Sequence, residues 1–180
     1  MNGDKGGSNI KGYVQVYTGD GKGKTTAALG LALRAAGAGF RVFIAQFVKG
    51  TEYSELAALS RLEDRITVRS VGRRCFIHDA PEPEDVAAAR EGLKQVREIL
   101  LGGRYDVVIL DEANIAVHFG LFSEDDLLEV VDLRPPGVEL VVTGRNAPAR
   151  LIQAADLVTE MREIKHYYAQ GVQARKGIES

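Results

Sequence analysis

The chain has 180 residues, 45% of them hydrophobic, which suits one ordinary domain burying roughly 70% of its unfolded surface. Its 23 basic and 25 acidic residues are interleaved and give a net charge of −2, arguing against a nucleic-acid binder and against an acidic solvating tail. The single cysteine, Cys75, excludes an intrachain disulfide, and with only three scattered histidines it offers no zinc-ligand spacing; a reducing, cytoplasmic setting fits.

The first twelve residues, MNGDKGGSNIKG, are polar and glycine-rich and lack the apolar centre of a secretory signal, so they read as a flexible arm before a single domain over 13–180. No later stretch reaches the ~18 apolar residues that a membrane span needs. Residues 13–17 (YVQVY) form a short β-branched and aromatic run that stops at a glycine-rich loop, and 25–36 are dense in Ala and Leu, a strand, loop and helix in succession. Gly37 and Gly39 end that helix, and 41–48 (RVFIAQFV) is a strand without polar alternation, as a strand buried on both faces requires. A short helix over 54–62, a strand over 66–71 and a long helix over 86–101 follow, the last preceded by a proline- and charge-rich loop, GRRCFIHDAPEPED. The strand 105–110 (YDVVIL) ends at Asp111 and Glu112. Beyond it come a helix capped at Ser123, a strand over 138–143 (VELVVT), a helix over 148–155, a strand over 157–160 and an aperiodic tail. Regular alternation of this kind predicts an α/β domain with a mainly parallel sheet, whose ligands sit at the carboxyl ends of the strands.

The loop at that edge reads TGDGKGKTT over 18–26, which is the phosphate-binding pattern G-x-x-x-x-G-K-[ST] with Thr18 in place of its first glycine. Glycines 19, 21 and 23 permit positive φ, so that successive amides can converge on phosphate oxygens, and the following helix adds its free N–H groups. Lys24 supplies a full positive charge, and the Thr25 hydroxyl is suited to a magnesium ion shared with the phosphates. Asp111 and Glu112, at the end of a neighbouring strand, supply the acidic half of such a site. Together these motifs imply Mg-nucleotide binding but leave the reaction open.

The reaction is suggested by a resemblance. YTGDGKGKTTAALGLALRAAG, QFVKG at 46–50, VVILDE, VVTGR at 141–145 and DLVTEMREIKHYYAQGVQARKGIE are similar to the P-loop ATP:corrinoid adenosyltransferases, over residues 13–179. The resemblance implies a P-loop NTPase-like, recombinase-like α/β fold with a mainly parallel sheet of about six strands flanked by helices. It implies transfer of the 5′-deoxyadenosyl group of ATP to the Co(I) of a reduced corrinoid, with triphosphate leaving and the nucleotide reversed relative to most P-loop enzymes. It also implies magnesium or manganese as the metal, a reductase that supplies Co(I), and a homodimer. Gly19, Asp20, Gly21, Lys22, Gly23, Lys24, Thr25 and Thr26 match its ATP-binding loop, with Lys24 and Thr25 as the catalytic pair, and Thr25 and Glu112 match its metal ligands. Asp20 departs from the asparagine found there in several members, and an aspartate beside polyphosphate is repelled unless it faces away or pairs with Lys22.

Members with a four-coordinate cobalt step carry a G-F-x-W motif. This chain has no tryptophan and reads GRRCFIH, aligning Phe76 and His78 with the aromatic pair. The two form a smaller wall under the corrin, or Phe76 and Ile77 anchor the loop in the core; cobalt ligation by His78 is disfavoured, because an axial donor opposes four-coordination. His118 and Arg34 fit surface or packing roles, whereas Lys165 and His166 fall in the tail match and are candidates for closing over the ligands. A small-molecule kinase or ATPase, and a single-stranded DNA motor, are the competing P-loop functions. The adjacent pair Arg73 and Arg74 is thin support for a kinase lid, and the near-neutral charge disfavours the motor.

Overall fold

In a computed structural model of the chain, residues 11–48, 54–71 and 80–179 are described. In order they form β1 (Val14–Thr18), α1 (Lys24–Gly37), β2 (Val42–Gln46), α2 (Ser54–Leu59), β3 (Ile66–Ser70), α3 (Pro83–Leu101) and β4 (Val107–Asp111), then α4 (Ala113–His118), α5 (Glu124–Leu133), β5 (Glu139–Thr143), α6 (Ala149–Ala154) and β6 (Leu157–Glu160). Short 3₁₀ turns at Ser60–Leu62 and Tyr167–Gln170 complete the described elements. The strands make one six-stranded sheet in the order β3-β2-β4-β5-β1-β6, and every neighbouring pair is parallel. All six carboxyl ends therefore lie on one edge.

The sheet is covered on both faces by alternate residues of the same strands. Val42 and Ile44 of β2, Val107 and Ile109 of β4 and Val141 of β5 meet Ala28, Ala32 and Ala35 of α1. Phe43, Ala45, Val108, Leu110, Leu140 and Val142 point the other way, into a larger layer with Leu93 and Val96 of α3, Leu127 and Val130 of α5 and Leu151 of α6. The small alanine face of α1 brings that helix close to β4 and β5, which fixes the direction of its N-terminus. Close approach also governs Gly92 of α3, where a Cβ would stand 2.5 Å from Val71 Cβ.

Element ends differ from the sequence expectation by one to three residues in most cases, and two departures have local reasons. Helix α3 starts at Pro83, because Glu82 and Asp85 form a reciprocal capping box around a proline in the first turn. Helix α4 is only six residues long, too few to display a helical period in the sequence. Ser123 caps α5 as expected, accepting a hydrogen bond from the Asp126 amide while its own N–H and hydroxyl donate to the Asp126 carboxylate and hold that group below the ordinary carboxylate range.

Candidate active site at the carboxyl ends of the strands

The glycine-rich loop leaves β1 at Thr18, which is buried. The Thr18 hydroxyl accepts a hydrogen bond from the Ala147 amide at 3.3 Å, so the residue that replaces the motif's first glycine ties this loop to the one after β5. Gly19 and Gly23 have φ of 92° and 117°, the left-handed region that favours glycine. At Gly21 the constraint is space: a Cβ would lie 2.7 Å from the Met161 carbonyl oxygen, to which the Gly21 amide donates at 2.6 Å. Gly21 thus serves a contact with the C-terminal segment.

Gly23 precedes α1 without a side-chain cap, and the first turn carries no acidic residue, so the helix presents uncapped N–H groups to an anion. Lys24 is buried, and its Nζ donates to the carbonyls of Gly19 at 2.6 Å and Gly21 at 2.8 Å. Burial lowers its pKa; the Glu112 carboxylate opposes that shift, and the Arg145 guanidinium adds to it.

The acidic half of the site is built by β4 and β5. Asp111 closes β4 in a buried position and accepts hydrogen bonds from the hydroxyls of Thr25 at 2.9 Å and Thr143 at 2.8 Å, with Gln46 Nε2 at 3.4 Å. Glu112 follows with φ 60° and ψ 23°, a left-handed conformation that costs a non-glycine residue about 1–3 kcal/mol. The turn is held by the Glu112 amide, which donates to the Thr143 hydroxyl at 3.0 Å. It brings Glu112 to the wall of a cavity of about 800 Å³ that also takes in Gly23, Lys24, Thr25, Thr26, Leu29, Ser54 and Arg145. The two carboxylates are therefore divided: Asp111 holds the Thr25 hydroxyl from beneath, and Glu112 faces the open space.

The C-terminal segment closes the other side. Met161 N donates to the Thr18 carbonyl at 2.8 Å, and Lys22 Nζ donates to the Ile178 carbonyl at 2.8 Å and to Glu179 at 3.3 Å. Lys22 thus pairs with Glu179, and Asp20 remains exposed. Glu179 also accepts from the Tyr167 hydroxyl and pairs with Arg175 at 3.0 Å. Between this segment and the loop lies a second cavity of about 220 Å³, lined by Asp20, Gly21, Lys22, Lys24, Arg145, Glu163, His166 and Glu179.

All eight loop positions expected from the sequence come together with Glu112 along one edge. Phe76 and His78, expected on the corrinoid side, lie outside the described residues, as do Arg73, Arg74, Cys75 and the first ten residues of the expected arm. Arg34 and Lys165 are exposed and line neither cavity, and His118 ends α4 exposed beside Phe119. His166, in contrast, lines the smaller cavity. VVTGR at 141–145 enters the sequence reading only as part of the resemblance, with no role for Thr143 or Arg145, although it carried a signal: a polar run leaving a buried strand at the same sheet edge as the loop.

The family described as ATP:corrinoid adenosyltransferase BtuR/CobO/CobP matches residues 10–180. A corrinoid adenosyltransferase of Pseudomonas aeruginosa is 35% identical over 170 residues, covering 94% of this chain and 84% of that protein. One from Escherichia coli is 35% identical over 171 residues, covering 94% and 86%, and the corrinoid adenosyltransferase CobA of Salmonella typhimurium is 33% identical with the same coverage. Among solved structures, a KaiC-like protein from Pyrococcus horikoshii superposes with a TM-score of 0.55 at 18% identity, over 86% of this chain and 75% of that one, a likeness of fold alone.

Proposed function

The chain belongs to the ATP:corrinoid adenosyltransferase family, and from that premise we propose how its residues carry the transfer. The protein moves the 5′-deoxyadenosyl group of ATP to the Co(I) of a reduced corrinoid. In that step the cobalt electron pair forms the Co–C5′ bond, the C5′–O bond breaks, and its electron pair leaves on triphosphate. No proton needs to move at the reacting carbon, so the protein's work is to align C5′ with cobalt and to stabilise the departing charge. Lys24, the loop amides of residues 19–26 and the uncapped N-terminus of α1 do the second job.

The observation that carries this reading is a cavity of about 800 Å³ over the loop, lined by residues of the loop, α1, α2 and the C-terminal segment together with Glu112 and Arg145, which falls in the range of roughly 300–1,000 Å³ typical of pockets for whole ligands. This supports a nucleotide whose triphosphate lies on the loop amides and Lys24; in the reversed sense its γ-phosphate lies toward Thr25 and Thr26, and C5′ is left at the opposite end of the triphosphate for the corrinoid to approach.

The residues present suit a magnesium or manganese ion. The Thr25 hydroxyl commits its proton to Asp111 and so turns its lone pairs outward, and Glu112 adds a carboxylate at the cavity wall. An ion placed there is held by one or two protein oxygens, water and phosphate. When bound, the ion neutralises charge on the leaving triphosphate. We further propose a homodimer, a reductase that delivers Co(I), a cytoplasmic setting, and Phe76 and His78 as the corrin-facing pair. Among the described residues no helix is long and apolar enough to cross a membrane.

With ATP, magnesium and chemically reduced cobalamin, the protein is expected to yield adenosylcobalamin, read by its visible spectrum, and tripolyphosphate, read by anion chromatography. Formation of ADP and phosphate without a spectral change would overturn the reading. Lys24→Ala should lower kcat about 100- to 1,000-fold, the range for removal of a single buried donor to developing charge.

A further inference from the structure

Two tight turns meet behind the larger cavity, and one buried side chain, Asn114, joins them. The first turn carries Glu112, at φ 60°. The second carries Gly144, at φ 131°, and delivers Arg145 to the wall of the same cavity. They approach so closely that a Cβ on Gly144 would stand 3.0 Å from Asn114 Cβ and 3.1 Å from the Ile115 amide nitrogen. A non-glycine residue in the left-handed region persists only where its surroundings over-determine it. Here three hydrogen bonds cross the seam: the Glu112 amide donates to the Thr143 hydroxyl at 3.0 Å, that hydroxyl donates to Asp111 at 2.8 Å, and Asn114 Nδ2 donates to the Gly144 carbonyl at 3.0 Å.

Asn114 is the costly member of this set. The residue is fully buried, and its Oδ1 meets no hydrogen-bond donor among the described residues. A buried amide with its acceptor unmatched is a poor device for stability, because an apolar side chain of similar shape would avoid desolvating that oxygen. Burial alone would therefore favour leucine. What the amide supplies instead is a directed bond from the first turn of α4, two residues beyond Glu112, to the carbonyl immediately before Arg145.

We propose that Asn114 is a positioning residue: by tying the Gly144 carbonyl to α4 it holds Glu112 and Arg145 at one fixed spacing on the cavity wall, so that a carboxylate for the metal and a guanidinium for the nucleotide form a preassembled pair. The proposal rests on the reading of this cavity as the metal–nucleotide site and adds how its two opposite charges are set. Both groups bear on Lys24, with opposite sign, so both face the loop. A pair fixed in advance loses less freedom when the ligand binds. Loss of a residue that orients a metal ligand without touching the metal lowers metal affinity by roughly 10- to 100-fold.

The test measures binding of ATP to the full chain by calorimetry, with manganese and with EDTA in its place, and without corrinoid so that no transfer contributes. Wild type is expected to gain at least about tenfold in affinity from manganese, and Asn114→Leu should lose most of that gain while its thermal midpoint stays within about 3 °C. Arg145→Ala should weaken metal-free ATP by about tenfold in wild type but by less than about twofold in the Asn114→Leu background, because a displaced guanidinium has little left to lose. A purely structural Asn114 predicts the reverse: a lower midpoint, with the manganese gain and the Arg145 effect at their wild-type size. Asn114→Ala, which cannot overpack the site, repeats the comparison if leucine proves too large. A folded variant that keeps the manganese gain, additive losses with Arg145→Ala, a large fall in midpoint for both Asn114 variants, or a wild type that gains nothing from manganese would each overturn the proposal. Adenosyl transfer is assayed separately: a wild type that forms adenosylcobalamin while Asn114→Leu keeps its manganese gain refutes the positioning role alone, and one that binds manganese and ATP but forms no adenosylcobalamin refutes the underlying reaction.

Discussion

The two walls of the site are held by different forces. On one wall, Thr25, Asp111 and Thr143 meet where α1, β4 and β5 converge, and their positions follow from parallel pairing between β4 and β5 and from the alanine face of α1 against both strands. On the other wall, residues 161–179 contribute no fully buried side chain and are joined to the loop through Met161, Ile178 and Glu179. The first wall is a by-product of the core, so damage to it should cost stability and activity together. The second is a strap, which should change ligand affinity with little effect on folding.

Asp111→Ala attacks the first wall and should have the largest effect. It strips an acceptor from two hydroxyls, one buried and one partly so, and an uncompensated buried donor costs about 1–3 kcal/mol. The expected loss is about 2–4 kcal/mol, or roughly 5–12 °C in thermal midpoint for a chain of this size, with adenosyl transfer reduced at least about 100-fold. A variant that keeps its midpoint and loses only activity would show that the carboxylate is not part of the structural frame. Next comes Gly21→Ala, which strikes the seam between the walls. Its Cβ would meet the Met161 carbonyl oxygen at 2.7 Å, and backbone has to shift, at a cost of about 1–3 kcal/mol. Because the displaced element is the strap, KM for ATP should rise by about tenfold while the midpoint falls by only a few degrees. If the midpoint instead falls as far as in Asp111→Ala, the strap belongs to the core after all.

This difference in forces also decides what could be read from the sequence. Buried parallel strands announce themselves as apolar runs, and the glycine-rich loop followed by an alanine-dense stretch gives the strand, turn and helix that present Lys24 and Thr25. The division of labour between Asp111 and Glu112 was not legible, because it depends on the φ of 60° at Glu112 and on a hydroxyl from β5, and neither leaves a local pattern. The place of Arg145 beside the loop was not legible for a related reason: it comes from β5 lying beside β1, more than a hundred residues earlier in the chain. The tail was equally opaque. Its anchor from Lys22 to Ile178 spans 156 residues, and it has no apolar period because it buries no apolar face.

Glu179→Gln tests the strap at its smallest expected effect. Hydrogen bonds from Arg175 and from Tyr167 hold the Glu179 carboxyl well below the usual carboxylate range. A group whose folded pKa is depressed contributes its full share above its unfolded value and loses that share only as the pH falls through the lower folded one. Docking of the wild-type tail should therefore be constant from pH 7 down to about 5 and weaken only in stronger acid. Neutral glutamine retains acceptors for Tyr167 and the Arg175 amide but surrenders the charge that attracts Lys22 and Arg175. Ion pairs at the surface contribute little, so KM for ATP should rise no more than about fivefold and the thermal midpoint should hardly move. The sharper readout is tryptic cleavage at Arg162, Lys165 and Arg175, which should quicken in Glu179→Gln at every pH and in wild type only in strong acid, followed there by hydrogen exchange because trypsin is inactive. Equal cleavage rates in the two proteins at neutral pH would mean that the Gly21 to Met161 hydrogen bond and backbone packing hold the strap, and that its charges only decorate it.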